Sequence, residues 1–178
     1  MKIGDVLARP EDEYPHQPPP DGDGRPWKDT WWFAFRDDVA DVTAALHLTL
    51  SPNRRPGSRI TVAVRHGAAQ LVDWTSTEPD TGTAAFGCPW LGVEVVDPAW
   101  SSAKRLRLHL RHPLVSGELE VHGRFLGPLV GAVAPGLVPS GEGSVSLAGH
   151  VEQLASFAGT LRIAGSDTTI DATGFRDR

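Results

Sequence analysis

His150 and Glu152 stand two residues apart, so on an extended strand an imidazole and a carboxylate leave the same face and can line one cavity. Trp31 and Trp32 are adjacent, which on a strand sends one indole to each face. With Trp74 they are the candidates for an aromatic wall against an extended apolar ligand, the filling taken by a barrel too wide to close on its own side chains. Core and rim packing is the competing use of the same rings, and Trp27, Trp90 and Trp100 lie near element ends. His109 and His112 are three apart, so a strand points them to opposite faces; they read as solvated strand histidines and not as a metal pair. Cys88 is the single cysteine, which removes both an internal disulfide and a Cys-x-x-Cys zinc knuckle. No Gly-x-x-x-x-Gly-Lys-Ser/Thr loop, no Gly-x-Gly-x-x-Gly after a strand and no Gly-x-Ser-x-Gly elbow occurs. Neither a cofactor nor a metal is expected.

The elements that must position these side chains have a period of two. Ile60, Val62 and Val64 alternate with Arg59, Thr61, Ala63 and Arg65, and Leu106, Leu108 and Leu110 alternate with Arg105, Arg107, His109 and Arg111. Leu46, Leu48 and Leu50, and later Leu119 and Val121, repeat the pattern, each run placing one face on apolar material and the other in a polar setting. Ten strands are expected, over 30–36, 41–50, 59–66, 69–75, 92–96, 104–111, 117–125, 147–154, 158–164 and 168–173. Ser51–Gly57, His66-Gly67 and Gly165-Ser166-Asp167 supply turns between them. Successive short strands with no helix between them predict an all-β fold, an antiparallel barrel or sandwich. The Gly/Pro-rich apolar stretch 126–146 is expected to be a loop over a barrel mouth.

Composition agrees with that class and narrows the partners. The chain has 178 residues, with 19 glycines and 15 prolines, too much turn chemistry for a helical bundle. Seventeen basic against 22 acidic residues leave a net charge of −5, which disfavours non-specific nucleic-acid binding. Residues 1–26, with Glu11-Asp12-Glu13, Pro18-Pro19-Pro20 and Asp21-Gly22-Asp23-Gly24, form a polar entry segment ahead of a single domain over 27–178. No apolar signal region follows Met1–Arg9 and no run of about 18 apolar residues occurs, so an integral membrane helix is not expected and a cytoplasmic location is. A lone cysteine suits that reducing compartment.

Three segments carry a family resemblance. Asp12-Glu13-Tyr14-Pro15-His16 precedes the aromatic strand Thr30-Trp31-Trp32-Phe33-Ala34-Phe35. Later come His150-Val151-Glu152-Gln153 and Phe157-Ala158-Gly159-Thr160-Leu161, and the chain closes on Gly174-Phe175-Arg176-Asp177-Arg178. The chain resembles the first half of the lipocalin-like hydroxyneurosporene synthase (carotenoid hydratase) superfamily, whose relatives include lipocalin-like Diels–Alderases. The resemblance implies a lipocalin-like (calycin) antiparallel β-barrel that binds a polyene, isoprenoid or polyketide. In that superfamily two barrels stand in tandem, joined at a Gly-x-Arg-Asp-His-Ser-Trp-Gly segment. Here Arg178 replaces the His and no Ser-Trp-Gly follows, so a missing second barrel, or a homodimer in its place, is the expected partner.

Hydration or cyclisation of a polyene needs a proton delivered to an unactivated double bond, and a carboxylic acid against apolar walls holds one near neutral pH. By the resemblance Asp177 is the candidate acid, with Glu152 and His150 beside it. Gln153 and Arg176 of the matching motifs, with Trp31, Trp32 and Trp74, are the candidate ligand-binding residues. An indole face would stabilise a developing carbocation. The competing reading makes Glu152 and Asp177 structural carboxylates paired with Arg162 or Arg176. A Diels–Alderase-like reaction would require orientation and no acid, and a non-catalytic binding module or packing half-domain is the alternative to an enzyme.

Overall fold

The structure, a computed structural model, describes residues 14–15, 28–51, 53–81, 85–97, 105–124 and 152–177. Within them the chain forms eleven strands. They are β1 (Asp29–Asp37), β2 (Val42–Leu50), β3 (Ser58–His66), β4 (Ala69–Thr77), β5 (Asp80–Thr81), β6 (Ala85–Cys88), β7 (Leu91–Asp97), β8 (Arg105–His112), β9 (Val115–Gly123), β10 (Glu152–Ile163) and β11 (Ser166–Asp177). All belong to one antiparallel sheet in the order β4-β3-β2-β1-β11-β10-β9-β8-β7-β6-β5. The sheet curls into a nearly closed barrel, the all-β class expected from the alternation and consistent with the lipocalin-like barrel that the resemblance implies. No helix among the described residues is long and apolar enough to cross a membrane.

Alternation decides which side chains go inside. Along β2 every second residue from Val42 to Leu50 is buried, and the intervening Thr43, Ala45, His47 and Thr49 face outward. Phe35 stacks on Phe157 with ring centroids 5.0 Å apart, over the β11 strand between β1 and β10, and Trp31 of β1 meets Phe86 of β6 at 4.5 Å across the barrel. Phe33, Leu46, Leu48, Ile60, Leu108, Leu119, Phe157 and Leu161 are all closed to solvent, and the middle of the barrel is a packed core. Tyr14, from the expected entry segment, also packs on this core.

Several expected boundaries change. The expected strand 158–164 and the described end of the one expected over 147–154 are one strand, β10, with no break at 155–157; residues 147–151 lie outside the described residues. Gly159, opposite Leu119, and Gly117, opposite Leu161, have φ of +155° and +135° in the β9–β10 ladder. A Cβ on either would collide with the facing carbonyl, of Glu118 or Thr160 respectively. These two glycines let the sheet coil sharply there. β5 and β6 were not among the expected strands: Asp80–Thr81 and Ala85–Cys88 are too short for a period to register. The last hairpin turns at Ala164 and Gly165, φ 49° and 89°, one residue ahead of the expected Gly165-Ser166-Asp167. The expected mouth loop 126–146 lies outside the described residues.

Candidate functional site

The candidates gather at one end of the barrel, where β1 begins, β10 begins and β11 ends. Register sets Phe33 opposite Arg176 and Arg176 opposite Gln153, and alternation turns the last two inward. Arg176 is 2% exposed and Gln153 1%, and the Arg176 Nε donates to Gln153 Oε1 at 2.6 Å. Gly123, the last residue of β9, makes room for this pair. A Cβ there would fall inside the contact radius of the Gln153 amide. Trp31, 1% exposed, closes the same end from β1 against Phe86. A guanidinium and an amide are thus set inside the barrel at this end beside an indole, the kind of polar placement by which a mostly apolar pocket orients one polar group.

Trp32 and Asp177 occupy the other side of the same strands. Trp32 pairs with Asp177, and Asp177 with Glu152, in one cross-strand row, and Trp32 is on the outer face at 39% exposure. The expected acid therefore does not share the face of Arg176, Gln153 and Trp31, because neighbouring residues on a strand must part. The same parity puts the register position of Glu152 in the outer row. His150 lies outside the described residues. The expected pairing of Arg162 with one of these carboxylates is replaced by a surface pair, Arg162 Nε to Asp167 at 2.8 Å.

The outer row continues through His47 and Thr61 to Trp74, whose ring lies 4.9 Å under the Arg59 guanidinium carbon. His47 sits 5.0 Å from the Trp32 ring, and burial, then Lys28 and Arg59, push its pKa down. Beside this row runs a second one with no charge: Leu154, Phe175, Ala34, Ala45, Ala63 and Val72, one residue from each of six neighbouring strands. Val72 is 62% exposed, Trp74 58% and Leu154 51%. The second row, with Trp32 and Trp74 beside it, makes an apolar band across the outside of the barrel.

Two further features escaped the sequence reading. On the outer face of β7–β9, Glu94, Arg107, Glu120 and Arg105 form linked ion pairs. His109 sits between Glu94 (3.1 Å) and Glu118 (3.0 Å). His122 and Arg105 hold the Glu120 pKa down at about 2. The signal was present: Arg-x-Arg-x-His on one strand faces Glu-x-Glu-x-His on its hairpin partner. The lattice borders an open groove of about 670 Å³ floored by Gly117, Ala158 and Gly159. The second feature is His112, which was expected to be solvated and is instead buried inside the barrel. Its Nδ1 accepts the Leu114 N–H at 3.1 Å, leaving Nε2 to donate to Asp73 Oδ2 at 3.2 Å, and Trp90 meets its ring edge-on at 4.5 Å. That hydrogen bond holds the Asp73 carboxyl below its ordinary pKa. His109 does project to the opposite face, as their spacing requires. Cys88 is buried, and desolvation raises its pKa. Among the described residues no cluster of three or more His, Cys, Asp or Glu is placed to hold a metal ion.

Neither a curated protein nor a solved structure matches this sequence. One family profile does, described as Domain of unknown function (DUF7064), and it spans residues 9–178. A match over nearly the whole barrel and its entry segment makes the chain a member of the DUF7064 family.

Proposed function

We propose that this barrel binds a small, mostly apolar molecule carrying one polar group, of the polyene, isoprenoid or polyketide kind. The observation behind this reading is the buried Arg176–Gln153 pair beside Trp31 at one end of an apolar barrel. Because the middle of the barrel is packed, the ligand sits at that end and does not thread the interior. If the domain belongs to a hydratase- or cyclase-like enzyme, as the sequence resemblance implies, this end contributes orientation. An acid at Asp177 would act on the opposite face, so templated cyclisation fits the inner residues better than protonation by that carboxyl. A reducing cytoplasm suits the single buried thiol of Cys88.

The test is a titration with all-trans-retinal, a polyene with a carbonyl head, followed by quenching of tryptophan emission and by the shift in Tm that native-state binding produces. Trp31→Phe should remove most of the quenching and Trp74→Phe little of it, with the Tm shift lost in Arg176→Met. Quenching that follows Trp74 and ignores Trp31, or no Tm shift with retinal, would sink the assignment.

A second reading, a packing half-domain, has its own support in the apolar outer band. Its occupant is a second copy of the chain, burying Trp32, Val72, Trp74 and Leu154. Light scattering at high concentration should then give a dimer, which Val72→Lys returns to one 19.1 kDa chain. A wild-type monomer rejects this reading without touching the first.

A further inference from the structure

The wall of the barrel is not uniform. Strands β1, β2 and β3 each have ladder neighbours on both sides, and their inward residues from Phe33 to Val64 are closed to solvent. β4 is the edge of the sheet, and every inward position from Leu71 to Thr77 is only half-buried. The cylinder is therefore open along this strand. Among the described residues, a polar contact that spans the opening joins Asp73 of β4 to His112 at the far end of β8.

Both halves of that contact are held ready before they meet. Leu114 N–H fixes the His112 tautomer with a proton on Nε2, and Trp90 fixes its plane. On the other side, Asp73 Oδ1 accepts the N–H of Trp74 at 2.8 Å, which turns Oδ2 toward the opening. Leu71 leans on the core at the same place, as does Trp90. One polar contact on a half-buried strand with one ladder is a small barrier beside the two ladders of every inner strand.

We propose that β4 is a hinged flank of the barrel, latched by Asp73 and His112, which swings away from β8 as a unit and opens the interior sideways. β4 stays joined to β3 at the Gly67 turn, whose φ of 57° suits glycine and whose N–H is held by Asp41 O at 3.1 Å, so the flank opens by parting from its nine-pair ladder with β3 while that turn stays fixed. The flank stands independently of the ligand reading.

Hydrogen exchange read by mass spectrometry on the whole chain tests this. In the wild type, peptides covering 69–77 should exchange at least tenfold faster than those covering 42–50 and 115–123. Asp73→Ala should speed 69–77 by a further tenfold or so and leave the other two unchanged. Asp73→Asn keeps an acceptor for His112 Nε2–H and should stay within about threefold of the wild type. Equal acceleration of all three peptides in Asp73→Ala would mean that the contact supports only global stability, and overturns the flank. Wild-type protection of 69–77 equal to that of 42–50, or identical behaviour of the Ala and Asn variants, overturns it as well.

Discussion

Adding one methyl group at Gly123 should uncouple the Arg176–Gln153 pair. Gly123 has no positive φ, so alanine meets no backbone strain there; the obstacle is the Gln153 amide, which the new Cβ would overlap. The amide is the end of a flexible chain and would step aside in open space. Here it is 1% exposed and engaged by Arg176 Nε at 2.6 Å, so stepping aside breaks that bond. Overpacking costs about 1–3 kcal/mol, and losing a buried hydrogen bond to a charged group about 1.5–3 kcal/mol. The two losses are alternatives in part, since an amide that moves relieves the overlap, so the net is about 2–4 kcal/mol for Gly123→Ala. At roughly 2–4 °C per kcal/mol for a chain of this size, Tm falls by about 4–16 °C. Gln153→Ala loses the same bond and should cost a similar amount. The double variant has no amide to collide with and no bond left to break. Its loss should fall short of the sum by at least about 1 kcal/mol, a coupling expected only of residues in contact. Urea unfolding followed by tryptophan emission, with calorimetry, measures all four corners. Additivity within about 0.5 kcal/mol, or a neutral Gly123→Ala, would refute the geometry.

Phe157→Ala removes a fully buried ring stacked on Phe35 and should cost about 3–5 kcal/mol in urea unfolding. Asp37 accepts the N–H groups of Val39, Ala40 and Asp171, and these bonds, Ala40 first, lower its folded pKa. Its contribution is complete above the ordinary carboxyl value near 4 and disappears as pH drops through the lowered one. Asp37→Asn should flatten the acid limb of Tm against pH and leave its alkaline limb unchanged. Carbon-detected NMR titration should place Glu120 at about 2, and His122→Ala should move it up toward the ordinary glutamate range. A Glu120 that titrates normally in the wild type would remove the ion lattice.

Much of the architecture was legible because one rule, alternation, governs every long strand. Residues 42–50 and 105–112 show the inward and outward sets unmixed, and the same parity correctly parted Trp31 from Trp32 and His109 from His112. Parity also separates Arg176 from Asp177, so a motif read as one site becomes two faces once the strand exists. The short β5 and β6 were illegible because two and four residues hold less than the pattern needs. The gap expected at 155–157 is closed because Ala155 and Phe157 continue the inward alternation of β10. The burial of His112 depends on Asp73, 39 residues away, and no local pattern carries that information. The outer apolar band was invisible for the same reason, since its uncharged row takes a single residue from each of six strands.

Every neighbouring pair in the sheet but one follows the order of the chain; the exception is β1 with β11. The barrel is thus two meanders, one of four strands and one of seven, welded along a ladder of five residue pairs from Trp32–Asp177 to Arg36–Thr173. The Asp37–Asp171 hydrogen bond crosses the same weld over 134 residues of sequence. Each meander can zip from its own turns, whereas the weld must wait for a closure whose entropy grows with the intervening chain. Folding should therefore show the two meanders gaining protection first and the β1–β11 ladder last. The same seam makes the molecule divisible: a chain cut between Thr77 and Asp80 leaves both meanders whole, to find each other as two separate pieces.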